Sequence, residues 1–312
     1  MDGNDQSHGS VVVWLDDVRA GDASHVGSKA ATLGELRARG FDVPTAFVVT
    51  ADTYRTVVDS AGIGPVLSYP VALCPDTRAE GRFRAGLVAQ VAVPHEVVEA
   101  IAGAYRELGQ RLQRPEPAVA VRASVVGEEA TFGPTAPALT GVAGFDTVVK
   151  AVETCWGALF NEQAMISRAA IGEPVELAMA VIVQALAPTA RAGTAYTTDP
   201  VRHRDDLVRI TAVHADAVGA RRLRPSADVY LVTRRSHELV ELRVAEKETG
   251  LARFGRVLTD DEASLVAATA LQVEACVGRP AAVDWSLTPD GRIIVLKAEA
   301  TRHARDELGR AG

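Results

Sequence analysis

The chain has 312 residues, 47% of them hydrophobic, and a formal net charge of −7. That length allows one large domain or two of ordinary size, and that composition excludes wholesale disorder. No basic block or interleaved aromatic stripe marks a nucleic-acid surface, and apolar runs such as 178–183 are far too short to span a membrane.

Residues 1–10, MDGNDQSHGS, have neither a basic start nor an apolar run, so they read as a flexible tail and not as a secretion signal. Cys74, Cys155 and Cys276 are odd in number and widely spaced, which suits free thiols in a reducing cytoplasm better than a disulfide or zinc site.

In chain order, residues 11–15 suit a strand. A helix follows, with Leu33 and Leu36 three apart and Gly40 where a helix-ending glycine belongs. Residues 47–50 read as strand, and Ala51 opens a second helix. Residues 64–90 carry Pro65, Pro70 and Pro75 and read as irregular. A helix over 95–112 places Val97, Val98, Ile101, Tyr105 and Leu108 on one face. Residues 118–122 form a strand ending at Arg122, and 123–144 read as loop, with Gly127, Gly133, Gly141 and Gly144. Helical patterns return over 147–171.

From 178 the texture changes to short strands, at 178–185, 192–197, 207–213, 228–233 and 239–244. Thr259 then opens a helix with a capping box completed by Glu262. The chain closes on a hairpin, 281–287 and 292–299. The first lobe, 11–185, is therefore helix-rich and mixed; the second, 186–312, is mainly antiparallel strand. The class is α+β, with the ligand expected between the lobes.

Three places could carry chemistry. Lys29 is one of only four lysines among 33 basic residues. A lysine in a first helical turn is ordinarily a solvated surface residue, but Gly27 and Ser28 beside it let a backbone approach an anion. Arg122 offers a guanidinium fork for phosphate; an ion pair with Glu128 or Glu129 is the structural alternative. In the hairpin, matching the apolar face Val283, Trp285, Leu287 to Ile294, Leu296, Ala298 puts Asp284 with Ile293, Val295, Lys297 and Glu299. A three-residue loop with a bulge at Thr-Pro-Asp-Gly-Arg would reverse that relation; the apolar match argues against it. An acid, a lysine and an acid on one face suit a metal–phosphate ligand, or a solvated salt-bridge face.

Taken together and in order, several segments resemble one family. They are Gly27-Ser-Lys-Ala-Ala-Thr-Leu-Gly-Glu-Leu36, Gly40-Phe-Asp-Val-Pro44, Phe47-Val-Val-Thr50 and Ala120-Val-Arg-Ala-Ser124. Cys155-Trp-Gly-Ala-Leu-Phe160, Val183-Gln-Ala-Leu-Ala-Pro188, Thr197-Thr-Asp-Pro-Val201 and Val283-Asp-Trp-Ser-Leu287 follow. The resemblance is to the ATP-binding domain of phosphoenolpyruvate synthase, pyruvate phosphate dikinase and rifampin phosphotransferase, over about residues 11–301.

It implies an ATP-grasp fold of two lobes with a nucleotide cleft between them, and ATP and Mg²⁺ as cofactors. By resemblance, Lys29, Arg122 and Lys297 are catalytic cations on the phosphates. Gly144 and Thr147 belong to a phosphate-covering loop, one residue shorter here, and Gln184 to the strand bordering the adenine. Asp284, Lys297 and Glu299 stand where the family has glutamate, glutamine and arginine, so Asp284 and Glu299 are the candidate metal ligands.

Two departures follow. Lys297 has only donors and cannot ligate a cation, and Glu299 puts negative charge where the family has an arginine. The segment 211–218 also lacks the family's usual glutamate and glycines, and His203, His214 and His237 have no phosphohistidine context. The expected function is an ATP- and Mg²⁺-dependent phosphotransferase or activating enzyme for a small-molecule acceptor. It would act alone or with a separate protein supplying phosphohistidine and acceptor domains. The alternative is a degenerate nucleotide-binding or non-catalytic regulatory subunit.

Overall fold

The computed structural model describes residues 9–74, 76–126, 138–171, 178–214, 227–245 and 255–301. Expectations resting on Gly127, Glu128, Glu129, Gly133 and residues 215–218 lie outside that set. The chain folds as two compact units: residues 1–38 with 45–186, and residues 39–44 with 187–312.

Unit 1 is built on a five-stranded antiparallel sheet of order β1-β2-β5-β3-β4. Its strands are β1 (Val12–Trp14), β2 (Ala46–Val49), β3 (Val119–Val125), β4 (Leu139–Val142) and β5 (Met179–Ala185). Every residue of β2 and β5 is buried, so both faces of the sheet centre are covered. Continuous apolar runs, not alternation, are what such strands require.

The helices are α1 (Ala23–Ala38), α2 (Ala51–Ser60), α3 (Gly64–Leu67), α4 (Thr77–Gln90), α5 (His95–Arg111), α6 (Phe145–Gly157) and α7 (Glu162–Ile171). Thr50 caps α2 through its side chain, accepting from the Thr53 N–H.

The structure corrects three expectations in this unit. Residues 64–90 are not irregular: α3 takes Pro65 into its first turn, and α4 starts once the prolines are passed, capped by Asp76 on the Arg78 and Ala79 amides. The strand containing Arg122 does not end there but runs to Val125, because Ala123 and Ser124 stay in register with Val181 and Ala180 of β5. Finally, 139–142 is an edge strand paired to β3, not loop. The helical stretch 147–171 is broken where Asn161 accepts from the Ala164 amide and starts α7.

Unit 2 is a six-stranded antiparallel sheet of order β11-β10-β6-β7-β8-β9 with one long helix. The strands are β6 (Arg191–Tyr196), β7 (Leu207–His214), β8 (Asp228–Thr233), β9 (Leu239–Arg243), β10 (Ala281–Leu287) and β11 (Ile293–Ala300). The helix α8 (Asp260–Val277) has the expected capping box of Thr259 and Glu262 and ends on Gly278 in the left-handed conformation.

Its buried positions Ala263, Val266, Ala267, Ala270 and Val273 form the stripe that packs on the sheet. The register gives the sheet face beneath: Ala298, Val283, Ala195, Ile210 and Tyr230 stand side by side across five strands, all buried. The adjacent row therefore points the other way. It reads Lys297, Asp284, Thr194 and Thr211.

Candidate functional site

In unit 1 the candidate site is built around a close approach of helix to strand. Gly27 interrupts α1 with φ 74° and ψ 164°, a conformation essentially confined to glycine. A Cβ there would lie 2.2 Å from the Ser124 carbonyl oxygen. With no side chain in the way, Ser124 Oγ accepts from the Ala30 amide at 3.1 Å and satisfies one of the open N–H groups of the helix start. The hydroxyl of Ser28 is buried there without a hydrogen-bond partner. Lys29 sits in this turn, half-buried.

Arg122 lies two residues before Ser124 on the same face of β3, opposite Ile182 of β5. Gln184 follows two residues on along β5, opposite Ala120, on that same face. It is 1% exposed, and its side-chain nitrogen makes no hydrogen bond. A buried amide donor left unmet costs about 1–3 kcal/mol unless something accepts from it. Arg122, Gln184 and the start of α1 are thus gathered on one side of the sheet, with phosphate-type donors and an unmet amide.

Gly144 caps the start of α6 with φ 83°. Its amide is committed to the Tyr105 hydroxyl at 3.1 Å, and that hydroxyl donates in turn to the Pro117 carbonyl at 2.9 Å. Thr147 is exposed in the first turn of α6. Both residues therefore belong to a helix start next to an edge strand.

In unit 2, Asp284 and Lys297 are direct cross-strand neighbours, and Glu299 lies two residues further along β11. Thr194 donates its hydroxyl to Asp284 Oδ1 at 2.7 Å, and among the described residues that is the only hydrogen bond to the Asp284 side chain. Lys297 Nζ and Glu299 Oε2 pair at 2.6 Å, with both side chains partly exposed. The expected face is therefore assembled, but by a different register. Residues 289–291 make a three-residue loop closed by the Thr288 amide on the Arg292 carbonyl, with Gly291 at φ 86°. This pairs Leu287 with Ile293 and Trp285 with Val295, not with the even-numbered residues of β11. A bulge at Leu296 then shifts the register back before Asp284.

Two carboxylates on one face suit a hard cation, which takes one or two protein carboxylates and completes its shell from phosphate and water. Asp284 fits that description, with one oxygen oriented by Thr194. Glu299 is engaged by Lys297. Among the described residues no group of three or more His, Cys, Asp or Glu side chains gathers as a metal site. The Thr197–Val201 motif is scaffold: Thr197 Oγ1 accepts from the Ala281 amide, and fully buried Asp199 from the Val201 amide. His203 and His237 are turn residues with positive φ.

Sequence reasoning missed Ser124 and Thr194. The sequence pattern ends the strand at Arg122, two residues short of Ser124, and Thr194 carries no mark beyond its place in β6.

The model of the pyruvate phosphate dikinase AMP/ATP-binding domain matches residues 23–309. The probable phosphoenolpyruvate synthase of Methanocaldococcus jannaschii is 31% identical over 92% of this chain and 26% of its own length. That of Staphylothermus marinus is 32% identical over 76% of this chain and 30% of its own. The phosphoenolpyruvate synthase of Pyrococcus furiosus is 25% identical over 96% and 46%. The chain thus spans less than half the length of these relatives.

Among solved structures, a D-alanine–D-alanine ligase from Coxiella burnetii aligns at TM-score 0.36 and 13% identity, over 92% of this chain and 50% of that one. The ATP-grasp ligase PsnB aligns at 0.31 and 14%, over 95% and 58%. Likenesses so loose decide nothing further. The family match covers nearly the whole chain, and this protein belongs to the pyruvate phosphate dikinase AMP/ATP-binding domain family. The ATP-grasp assignment rests on that membership.

Proposed function

We propose that this chain binds ATP with Mg²⁺ and takes part in phosphoryl transfer to a small-molecule acceptor. It does so alone or with a separate protein supplying phosphohistidine and acceptor domains. The observation that carries the reading is the grouping on unit 1, where Arg122 and Gln184 share the sheet face onto which Ser124 fastens the start of α1 and its Lys29. Phosphoryl transfer asks a protein mainly to position charges and neutralise them. In this reading Lys29 and Arg122 hold phosphate oxygens, and the Gln184 amide meets an acceptor on the base. Gly144 and Thr147 flank the phosphates from the start of α6.

On unit 2, Asp284 is the principal carboxylate for the metal, Thr194 fixes its orientation, and Glu299 is the second carboxylate once Lys297 turns to phosphate. The Mg²⁺ would supply charge neutralisation on the phosphates. A cytoplasmic setting goes with this reading; among the described residues no single helix is long and apolar enough to cross a membrane.

A second reading is favoured by one observation, the Lys297–Glu299 pair at 2.6 Å. If that pair stays closed, Lys297 and Glu299 are taken up with each other and the chain is a nucleotide-binding subunit without turnover. Isothermal titration of ATP with and without Mg²⁺, followed by analysis of nucleotide products over candidate acceptors, separates the two. Binding with ADP or AMP formation supports the enzyme, and binding without product supports the subunit. Absence of binding in either condition refutes both.

A further inference from the structure

The core of unit 1 contains two buried guanidiniums treated very differently. Arg84 is fully buried and satisfied: its Nε pairs with Glu80 at 2.7 Å, and its other nitrogens donate to the Leu67 and Tyr69 carbonyls at 2.8 and 2.9 Å. Arg168 is 4% exposed, and only Nη2 is engaged, on the Leu159 carbonyl and Met165 Sδ. Its Nε and Nη1 are buried without hydrogen-bond partners, and among the described residues no carboxylate pairs with it.

Its neighbours add to the deficit. The Tyr54 hydroxyl and the Trp156 indole N–H are also buried and unpartnered, in residues 2% exposed. Tyr54 links the group: its ring stands edge-on to Trp156 at 6.0 Å, and the positive charge of Arg168 acts on its hydroxyl. The face of Phe160, 5.4 Å from the Arg168 guanidinium carbon, offers a weak cation–π contact and no acceptor.

The chemistry of this set leans to donation, and the one oxygen able to accept, the Tyr54 hydroxyl, makes no hydrogen bond. A guanidinium and an indole can only donate, and the phenol has a proton to give. Four donor positions go unmet around a charge that has no counter-ion among the described residues, although a buried charge is normally paired. Burial, and then the like charge of Arg84, depress the Arg168 pKa to about 10, so the guanidinium remains charged at neutral pH.

We infer that Arg168, Tyr54 and Trp156 form an internal site for one small inorganic monoanion of the halide class. All three side chains are 2–4% exposed, so an ion among them would be stripped of water, which favours a monatomic ion over a strongly hydrated oxyanion. It also balances charge: two guanidiniums are met by one carboxylate and one anion. The inference does not depend on nucleotide binding, since it concerns side chains outside the proposed site.

The test uses the intact chain. Thermal unfolding is compared in sodium chloride and in sodium gluconate at equal ionic strength, gluconate being too large for the core. At chloride ten times its dissociation constant, the Tm of the transition that unfolds unit 1 should be higher than in gluconate by about 3–6 °C, or by about 2 °C where the whole chain unfolds in one step. Arg168→Met should lose that difference while remaining at least as stable as the parent in gluconate, because it removes an unpaired buried charge. Tyr54→Phe should shrink the difference by weakening halide affinity several-fold.

Crystals grown in bromide should show an anomalous peak within hydrogen-bond distance of Arg168, a measurement that needs no variant. Equal Tm in the two salts would overturn the inference. So would a chloride effect that persists in Arg168→Met, or a water in place of bromide at the Arg168 nitrogens.

Discussion

The contact most open to a decisive perturbation is Gly27 against Ser124. In Gly27→Ala the new methyl meets the Ser124 carbonyl oxygen at 2.2 Å, and the backbone is held at φ 74° and ψ 164°. Forcing a non-glycine residue into that region costs about 1–3 kcal/mol. Backing the helix away to relieve the clash breaks the bond from the Ala30 amide to Ser124 Oγ, a capping interaction worth about 0.5–2 kcal/mol. The expected loss is about 2–5 kcal/mol, a large part of a typical domain's stability.

Ser124→Ala serves as the control, since it removes the cap and leaves the glycine, and should cost only the capping share. Urea unfolding measures both. ATP titration should show Gly27→Ala weakening binding more than Ser124→Ala, because Lys29 lies two residues along the displaced turn. A Gly27→Ala chain as stable as Ser124→Ala, with ATP affinity unchanged, would refute the account of how the helix start is held.

Lys29→Ala and Arg122→Ala should each weaken ATP binding by about 1.5–3 kcal/mol, the range for hydrogen bonds to charged groups, read by isothermal titration. Unchanged affinity in both would leave these residues with structural roles only. Glu299→Gln releases Lys297 from its 2.6 Å partner, so metal-free ATP should bind more tightly while the gain from Mg²⁺ shrinks; the opposite pattern would remove Glu299 from the metal. Burial pushes the Cys155 thiol up to about 12 from 9.0. Alkylation of native protein should therefore reach Cys74 and Cys276 well before Cys155. The folded chain keeps this proton where the unfolded chain releases it, so the contribution is whole below about pH 9 and lost as pH rises toward 12. A urea midpoint flat across that window in wild type, or one that falls equally in Cys155→Ala, would contradict the assignment.

What the sequence revealed and what it hid have separate physical causes. The strands of unit 2 and helix α8 were legible because alternation and a capping box are local patterns. Helix α4 was hidden because three prolines precede it and its polar surface gives little periodicity; its anchor is Arg84, whose partners Leu67 and Tyr69 are distant in sequence. Lys29 and Arg122 are singled out as candidates by the order of motifs, whereas Ser124 and Thr194 make contacts 94 and 90 residues away. No local pattern encodes such a contact.

The hairpin shows how three side chains can be assigned to one face by an argument that is wrong in part. Matching one apolar face to another assumes a turn that keeps the parity and a strand without insertions. Neither holds: the loop at 289–291 reverses the parity and the bulge at Leu296 reverses it again. The apolar match could not detect this, because Ile293, Ile294, Val295 and Leu296 are all apolar and satisfy either register. What fixes the outcome lies on the other side of β10. Asp284 faces Thr194 across β6 and takes its hydroxyl at 2.7 Å, and Trp285 faces Gly193, where a side chain would meet the Thr211 carbonyl. A large ring opposite a glycine and a carboxylate opposite a hydroxyl admit one register between β10 and β6. The bulge is what lets β11 follow it, bringing Lys297 and Glu299 to the face that Asp284 already occupies.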